Sequence, residues 1–130
     1  MTKQAKPSDL EMQILSVLWH RGPSTAREVL DAMPDGKKRA YTTILSAMQV
    51  MEKKELLKHT SRGVAHVYSP AVKRSKIIRP FVRKVVTEVF GGRPAAVMQA
   101  LLEDGQISDK ELAEMRKLLE DARRDGSSQA

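Results

Sequence analysis

Apolar residues in the first part of the chain recur at helical spacing, in segments that open with capping residues. Ser8 and Glu11 have the spacing of a capping box, and the helix that they open should end before the Gly-Pro pair at 22–23. A second cap at Ser24 and Thr25 opens a shorter amphipathic segment. The pattern therefore predicts two short helices before residue 34.

A third helix is predicted from about residue 40 to residue 54, with two chemically different sides. Its apolar side consists of Ile44, Ala47, Met48 and Met51. Its other side carries Thr42, Ser46, Gln49 and Lys53, flanked by Thr43 and Val50. Hydroxyls and amides can pair with base edges in a major groove, and methyl groups can contact thymine. We interpret this helix as a recognition helix; the alternative is a neutral solvent-facing surface.

The hydrophobic period changes from helical to two after residue 56, which indicates two strands at 57–61 and 64–69. A two-residue turn at Arg62 and Gly63 would join them, and Pro70 would close the hairpin. Three helices followed by a hairpin are typical of a winged helix-turn-helix. The predicted fold class is therefore mainly α with a small β wing, with residues 1–72 as the DNA-binding domain and a C-terminal helical dimerisation segment after it.

Residues 73–130 are predicted to be helical, with breaks at Gly91-Gly92 and a new cap at Ser108. The apolar stripe of residues 73–90 is wider than one that only packs against the head, and Pro80 lies within it. We expect this domain, 73–130, to form a homodimer; packing onto the head is the alternative. The candidate dimerisation residues are Ile78, Phe81, Val82, Val85, Val86, Val89, Leu101, Leu112, Met115 and Leu119.

The net charge of +7 is unevenly distributed: residues 1–70 carry +4, residues 71–90 carry +5 and residues 91–130 carry −2. A basic head favours a polyanionic partner, although an ordinary basic surface is the simpler alternative. The candidate phosphate contacts are the backbone N–H groups at Ser24 and Thr25, the basic run Lys37, Lys38 and Arg39, and Arg62 in the hairpin turn.

Several classes of protein are disfavoured by what the chain contains. It has no cysteine, no apolar run long enough for a membrane span and a polar stretch at residues 1–9, so we expect a cytoplasmic protein without membrane insertion. No catalytic, cofactor or metal motif is recognisable, so an enzyme is not expected. Two alternatives stay open: a metal-responsive repressor that uses His59 and His66 of the hairpin, and a winged-helix adaptor that binds protein.

The ordered set of motifs resembles the BlaI/MecI/CopY family of bacterial penicillinase repressors. The segments that carry the resemblance are Glu11-Met12-Gln13-Ile14-Leu15, Leu18-Trp19, Tyr41-Thr42-Thr43-Ile44, Lys53-Lys54-Glu55-Leu56-Leu57, Val67-Tyr68-Ser69-Pro70, Phe90-Gly91-Gly92 and Leu112-Ala113-Glu114-Met115. The resemblance implies a homodimeric repressor on an inverted repeat of the TACA/TGTA type. It also implies that Thr42, Thr43 and Ser46 read bases and that Tyr41 lies near a phosphate.

Two departures from that family concern the signal that releases the repressor. Copper-responsive members carry a C-terminal cysteine motif, which this chain lacks. Penicillinase repressors are cut at an Asn-Phe bond by a sensor-linked protease, and the corresponding stretch here is Gln99-Ala100-Leu101-Leu102. Ala100 and Leu101 are thus the candidate cleavage region, without the Asn-Phe pair, and the inducing signal stays open.

Overall fold

A computed structural model describes residues 6–126, which form six helices and one two-stranded antiparallel sheet. The chain divides into two compact units between Phe81 and Val82, within the fourth helix. The elements are α1 (Asp9–Arg21), α2 (Ala26–Asp31), α3 (Tyr41–Lys53), β1 (Leu57–Arg62), β2 (Ala65–Pro70), α4 (Arg74–Glu88), α5 (Pro94–Asp104) and α6 (Asp109–Gly126). No helix in the described part of the chain is long and apolar enough to cross a membrane.

Both of the first two helices begin with a complete capping box. The Glu11 N–H donates to Ser8 Oγ at 3.2 Å, and the Ser8 N–H donates to Glu11 Oε1 at 3.0 Å. Thr25 and Glu28 exchange the equivalent pair of hydrogen bonds at 3.2 and 2.9 Å. The predicted starts of α1 and α2 are confirmed, because each box satisfies backbone donors that the helix itself leaves free.

The core of the first unit joins α1, α2, α3 and the wing. The apolar side of α3 lies inside it as predicted, with Ile44, Met48 and Met51 fully buried and Ala47 packed at its margin. Ile77, near the start of α4, also packs against this core. The compact first unit thus extends beyond the boundary at residue 72 that the sequence suggested.

The wing pairs β1 with β2 in a register that places Arg62 opposite Ala65. The two turn residues are therefore Gly63 and Val64, and the predicted turn at Arg62-Gly63 was wrong by one residue. Gly63 has a φ of +62°, at the first central position of the turn, where a glycine is favoured. This shift makes Arg62 the last residue of β1 and leaves Val64 completely exposed at the tip.

The second unit contains the end of α4 together with α5 and α6. Helix α4 continues through Pro80, and Gly91 and Gly92 follow it with positive φ angles of +61° and +77°. The Glu111 N–H donates to Ser108 Oγ at 3.1 Å, which confirms the predicted cap of α6. No residue from 73 to 126 is buried within the single chain.

Candidate nucleic-acid interface

The outer face of α3 is exposed and almost free of charge. Thr42, Thr43, Ser46 and Gln49 all lie on it in the open, together with Val50. The face therefore offers hydroxyl and amide groups that can donate to or accept from base edges. In this feature the structure agrees with the surface expected from the sequence pattern.

The beginning of α3 differs from the beginnings of α1 and α2. Its N-cap is Ala40, which supplies no side-chain hydrogen bond, and its first turn contains no acidic residue. The other two helices each have a Glu carboxylate at this end. The Thr43 N–H donates to the Ala40 carbonyl at 3.0 Å, so the Tyr41 and Thr42 N–H groups and the positive end of the helix dipole are the features suited to an anion.

The loop before α3 is held by an ion pair that changes the expected role of Arg39. Its guanidinium makes two hydrogen bonds to Asp35, from Nη1 to Oδ1 at 2.9 Å and from Nη2 to Oδ2 at 2.7 Å. This pair holds the pKa of Asp35 well below its usual range and raises that of Arg39. Arg39 therefore braces the loop and is less available than expected, and its phosphate contact stays a prediction, whereas Lys37 and Lys38 are exposed.

The two backbone N–H groups expected to bind an anion at the start of α2 are not free in the structure. Ser24 is 0% exposed, and its N–H donates to the Tyr68 carbonyl at 2.9 Å. The Thr25 N–H donates to Glu28 Oε1. Both N–H groups are therefore already paired, and the Glu28 carboxylate occupies the position where an anion would bind.

Ser24 instead ties the wing to the helices. The Tyr68 N–H donates back to the Ser24 carbonyl at 2.8 Å, which completes an isolated antiparallel bridge. The Ser24 hydroxyl donates to the Gly22 carbonyl at 2.9 Å. These bonds fix the position of β2 beside the start of α2, and so set where the wing stands relative to the recognition helix.

Two histidines of the wing lie together against α3. The rings of His59 and His66 stack with centroids 4.2 Å apart, and His59 Nδ1 lies 2.7 Å from Glu52 Oε2. Tyr68 is beside both rings, and burial together with the charge of Glu52 raises its pKa. Across residues 6–126, no group of three or more His, Asp or Glu side chains is arranged to hold a metal ion.

An arginine that the sequence reasoning missed lies at the start of the recognition helix. The Cζ atom of Arg27, on α2, is 4.8 Å from the centroid of the Tyr41 ring, on α3. Both side chains line a groove between α2, α3 and the wing. No local pattern links these two residues, because a loop separates them in the sequence and only the fold brings them together.

The remaining predicted site residues are exposed or partly exposed. Arg62 is exposed at the end of β1, and Leu101 is 50% exposed within α5 beside the half-buried Ala100. The candidate dimerisation residues fall into two groups. The half-buried ones are Ile78, Val85, Val86 and Met115, and the exposed ones are Phe81, Val82, Val89, Leu101, Leu112 and Leu119.

The three helices, the hairpin wing and the open face of α3 define a winged-helix protein of the helix-turn-helix class. Comparison with known proteins gives the family. The penicillinase repressor family model matches residues 7–121. The chain belongs to the penicillinase repressor family. That family consists of transcriptional repressors, so this protein is a transcriptional regulator and not an enzyme.

Individual relatives cover most of the chain. The penicillinase repressor of Bacillus licheniformis is 25% identical over 121 residues, which are 93% of this chain and 94% of that protein. The transcriptional regulator BlaI of Mycobacterium tuberculosis is 30% identical over 101 residues, 75% of this chain and 73% of that protein. The solution structure of monomeric Bacillus licheniformis BlaI in complex with the blaP half-operator is similar at 27% identity and a TM-score of 0.48, over 58% of this chain and 92% of that one.

Proposed function

We propose that the protein represses transcription as a homodimer bound to an inverted-repeat operator. The observation that carries this proposal is the open face of α3, which is almost free of charge, together with its uncapped first turn. Thr42, Thr43, Ser46 and Gln49 would contact base edges, and the first-turn N–H groups would face a phosphate. Lys38 and Arg62, both exposed, would add phosphate contacts that set register and salt dependence.

The homodimer is supported by the burial pattern after the wing. Residues 73–126 contain many apolar side chains, yet none is buried within one chain. A segment of this length without a core gains too little from folding alone, so a partner must cover its apolar surface. A second copy is the simplest partner, because a two-fold protein matches the symmetry of an inverted repeat.

Release from the operator is proposed to follow proteolysis in α5, by a protease linked to a sensor. Leu101 is half exposed there, and Ala100 precedes it on the same helix. Cleavage at this point would separate α6 from the rest of the dimerisation segment. Because dimeric binding to two half-sites is much tighter than binding to one, loss of the dimer would weaken operator binding.

The test compares two duplexes of equal length, one with TACA/TGTA half-sites in inverted repeat and one with the same bases scrambled. Fluorescence anisotropy at physiological salt should show a strong preference for the inverted repeat, with saturation at two protein chains per duplex. Equal affinity for the two duplexes would contradict sequence-specific repression through this operator, and saturation at one chain would contradict the dimer.

A further inference from the structure

A groove in the first unit separates the recognition helix from the wing. It has a volume of about 350 Å³ and is open to solvent. Thr25 and Arg27 line it from α2, Tyr41 and Gln49 from α3, and Val64 and His66 from the wing. The recognition helix and the wing, which are both proposed to approach DNA, therefore meet α2 around one open groove, and a cation on α2 beside this groove would face the backbone of a bound duplex.

Arg27 is the cation at that edge, and its side chain is already oriented. Its guanidinium lies over the Tyr41 ring, with Cζ 4.8 Å from the ring centroid. A cation–π contact of this kind holds the guanidinium through the ring and does not use its N–H groups as donors to an oxygen. An arginine held in this way loses less rotamer freedom when it binds a ligand than one that moves freely in solvent.

Arg27 also differs from its neighbours in charge pairing. Arg21 contacts Glu28 at 3.3 Å, and Arg39 contacts Asp35 at 2.7 Å. Among the ion pairs within residues 6–126, none involves Arg27. Arg21, at the end of α1, and Arg39, before α3, are therefore each paired with a carboxylate, whereas Arg27 keeps its charge available at the groove.

We propose that Arg27 binds a phosphate of the DNA backbone and that Tyr41 acts as the positioning residue for its guanidinium. The inference rests on the proposed DNA-binding function and adds a residue to that interface. A phosphate is favoured over a base, because Arg27 is on α2 beside the groove and not on the exposed face of α3 that would enter the major groove. The planar fork of a guanidinium matches two oxygens of one phosphate.

The experiment measures binding of full-length variants to the inverted-repeat duplex and to its scrambled counterpart, at salt concentrations from about 50 to 200 mM. Arg27→Ala should weaken binding to both duplexes roughly tenfold, because a phosphate contact is independent of sequence. It should also reduce the slope of log K against log salt by about 0.9, the value for one phosphate contact.

Arg21→Ala is the matched control. It removes the same charge from the same region, but its guanidinium is engaged by Glu28, so the slope should stay at the wild-type value. Arg27→Lys should keep the slope and still bind more weakly, because an ammonium group lacks the planar fork. Tyr41→Leu should weaken binding, and Arg27→Ala in that background should cost less than it costs alone, because the two residues act together.

The outcomes separate this proposal from the proposed function. A wild-type slope in Arg27→Ala would overturn the phosphate contact, even if the wild type still prefers the inverted repeat. A reduced slope without any preference between the duplexes would support Arg27 and overturn the operator. No binding of wild type to either duplex at low salt would overturn both. If thermal unfolding shows that Arg27→Ala is not folded, Arg27→Gln is measured in its place against the same slope.

Discussion

Glu11 shows how one residue can couple a helix cap to the position of the recognition helix. Its carboxylate accepts the Ser8 N–H at the start of α1 and contacts Lys54 Nζ, just after α3, at 2.8 Å. The side chain is 8% exposed. Burial alone would raise its pKa, but the hydrogen bonds from Lys54 and Ser8 and the charge of Lys54 outweigh burial and lower it. Glu11 is therefore ionised in the folded protein to lower pH than in the unfolded chain.

A carboxylate whose pKa is lower in the folded protein than in the unfolded chain stabilises the fold at pH values above the unfolded-state pKa. That stabilisation is lost as the pH falls through the folded-state pKa. We expect Glu11→Gln to reduce the free energy of unfolding at neutral pH by about 1–2 kcal/mol, through the lost charge-assisted bonds. The gap between variant and wild type should narrow as the pH falls below about 4.5. Urea unfolding at several pH values measures both curves, and a constant gap would show that ionisation of Glu11 does not matter.

Two hydroxyls on α3 test base reading directly. Thr43→Ala and Ser46→Ala should each weaken binding to the inverted repeat by about 1 kcal/mol, or about fivefold, and leave binding to the scrambled duplex unchanged. Both residues are exposed, so stability should hardly change. Thr60→Ala makes the same chemical change at an exposed position of β1 and serves as the control. An equal loss on both duplexes would show that these hydroxyls do not read sequence.

The start of a helix can be predicted from its local sequence, whereas a helix end that depends on contacts elsewhere in the fold cannot. The capping box of Ser8 and Glu11 is visible as a spacing of three residues, and the structure contains it. The end of α3 had no such signal: Glu55 has a φ of +65°, and the Leu56 N–H donates to the Met51 carbonyl, as in a Schellman motif that usually uses glycine. There, the burial of Leu56 against the core overrides the local preference of Glu55.

Contacts between residues that are distant in sequence also explain why some predicted site residues have other partners than expected. Ser24 has the sequence signature of a helix cap, but its backbone hydrogen bonds go to Tyr68, on the wing and far along the chain. The pairing of Arg39 with Asp35 has the spacing of i and i+4, a signal that could have been used. The exposed face of α3 was predictable because helical periodicity alone determines which residues share a side.

At the scale of elements, Ser24 provides a test of how the wing is held. Ser24→Ala removes the hydroxyl that donates to the Gly22 carbonyl inside the fold, and we expect a loss of about 1–2 kcal/mol in the free energy of unfolding. The salt dependence of DNA binding should stay at the wild-type value, because the buried side chain touches no phosphate. Thermal unfolding and a salt titration measure the two effects. A smaller slope with unchanged stability would show instead that the Ser24 hydroxyl contacts a phosphate.

At the scale of the whole molecule, the two units differ in whether they have a buried core. The first unit has a continuous core of side chains from α1, α2, α3 and the wing. The second unit contains apolar residues but no buried one. Charge follows the same division, since residues 1–81 carry a net charge of +8 and residues 82–130 carry −1. A basic unit suited to DNA is thus followed along the chain by a unit whose described apolar side chains are all at least partly exposed in the single chain.

A pair of substitutions on that surface tests the dimer. Val82 is 48% exposed and Val89 is 69% exposed in the single chain, so Val82→Asp with Val89→Asp should cost an isolated chain little stability. In a dimer interface each aspartate would lose its hydration without a partner, which is strongly unfavourable. We therefore expect the double variant to sediment as a monomer in analytical ultracentrifugation where the wild type is a dimer. Its affinity for the inverted repeat should fall by a factor of about 100 or more, since the two half-sites are then bound independently.

Val64→Asp introduces the same residue at the fully exposed wing tip and should leave the dimer intact. A double variant that stays dimeric would show that these valines lie outside the interface, and the dimer would have to form through other exposed side chains of α5 and α6.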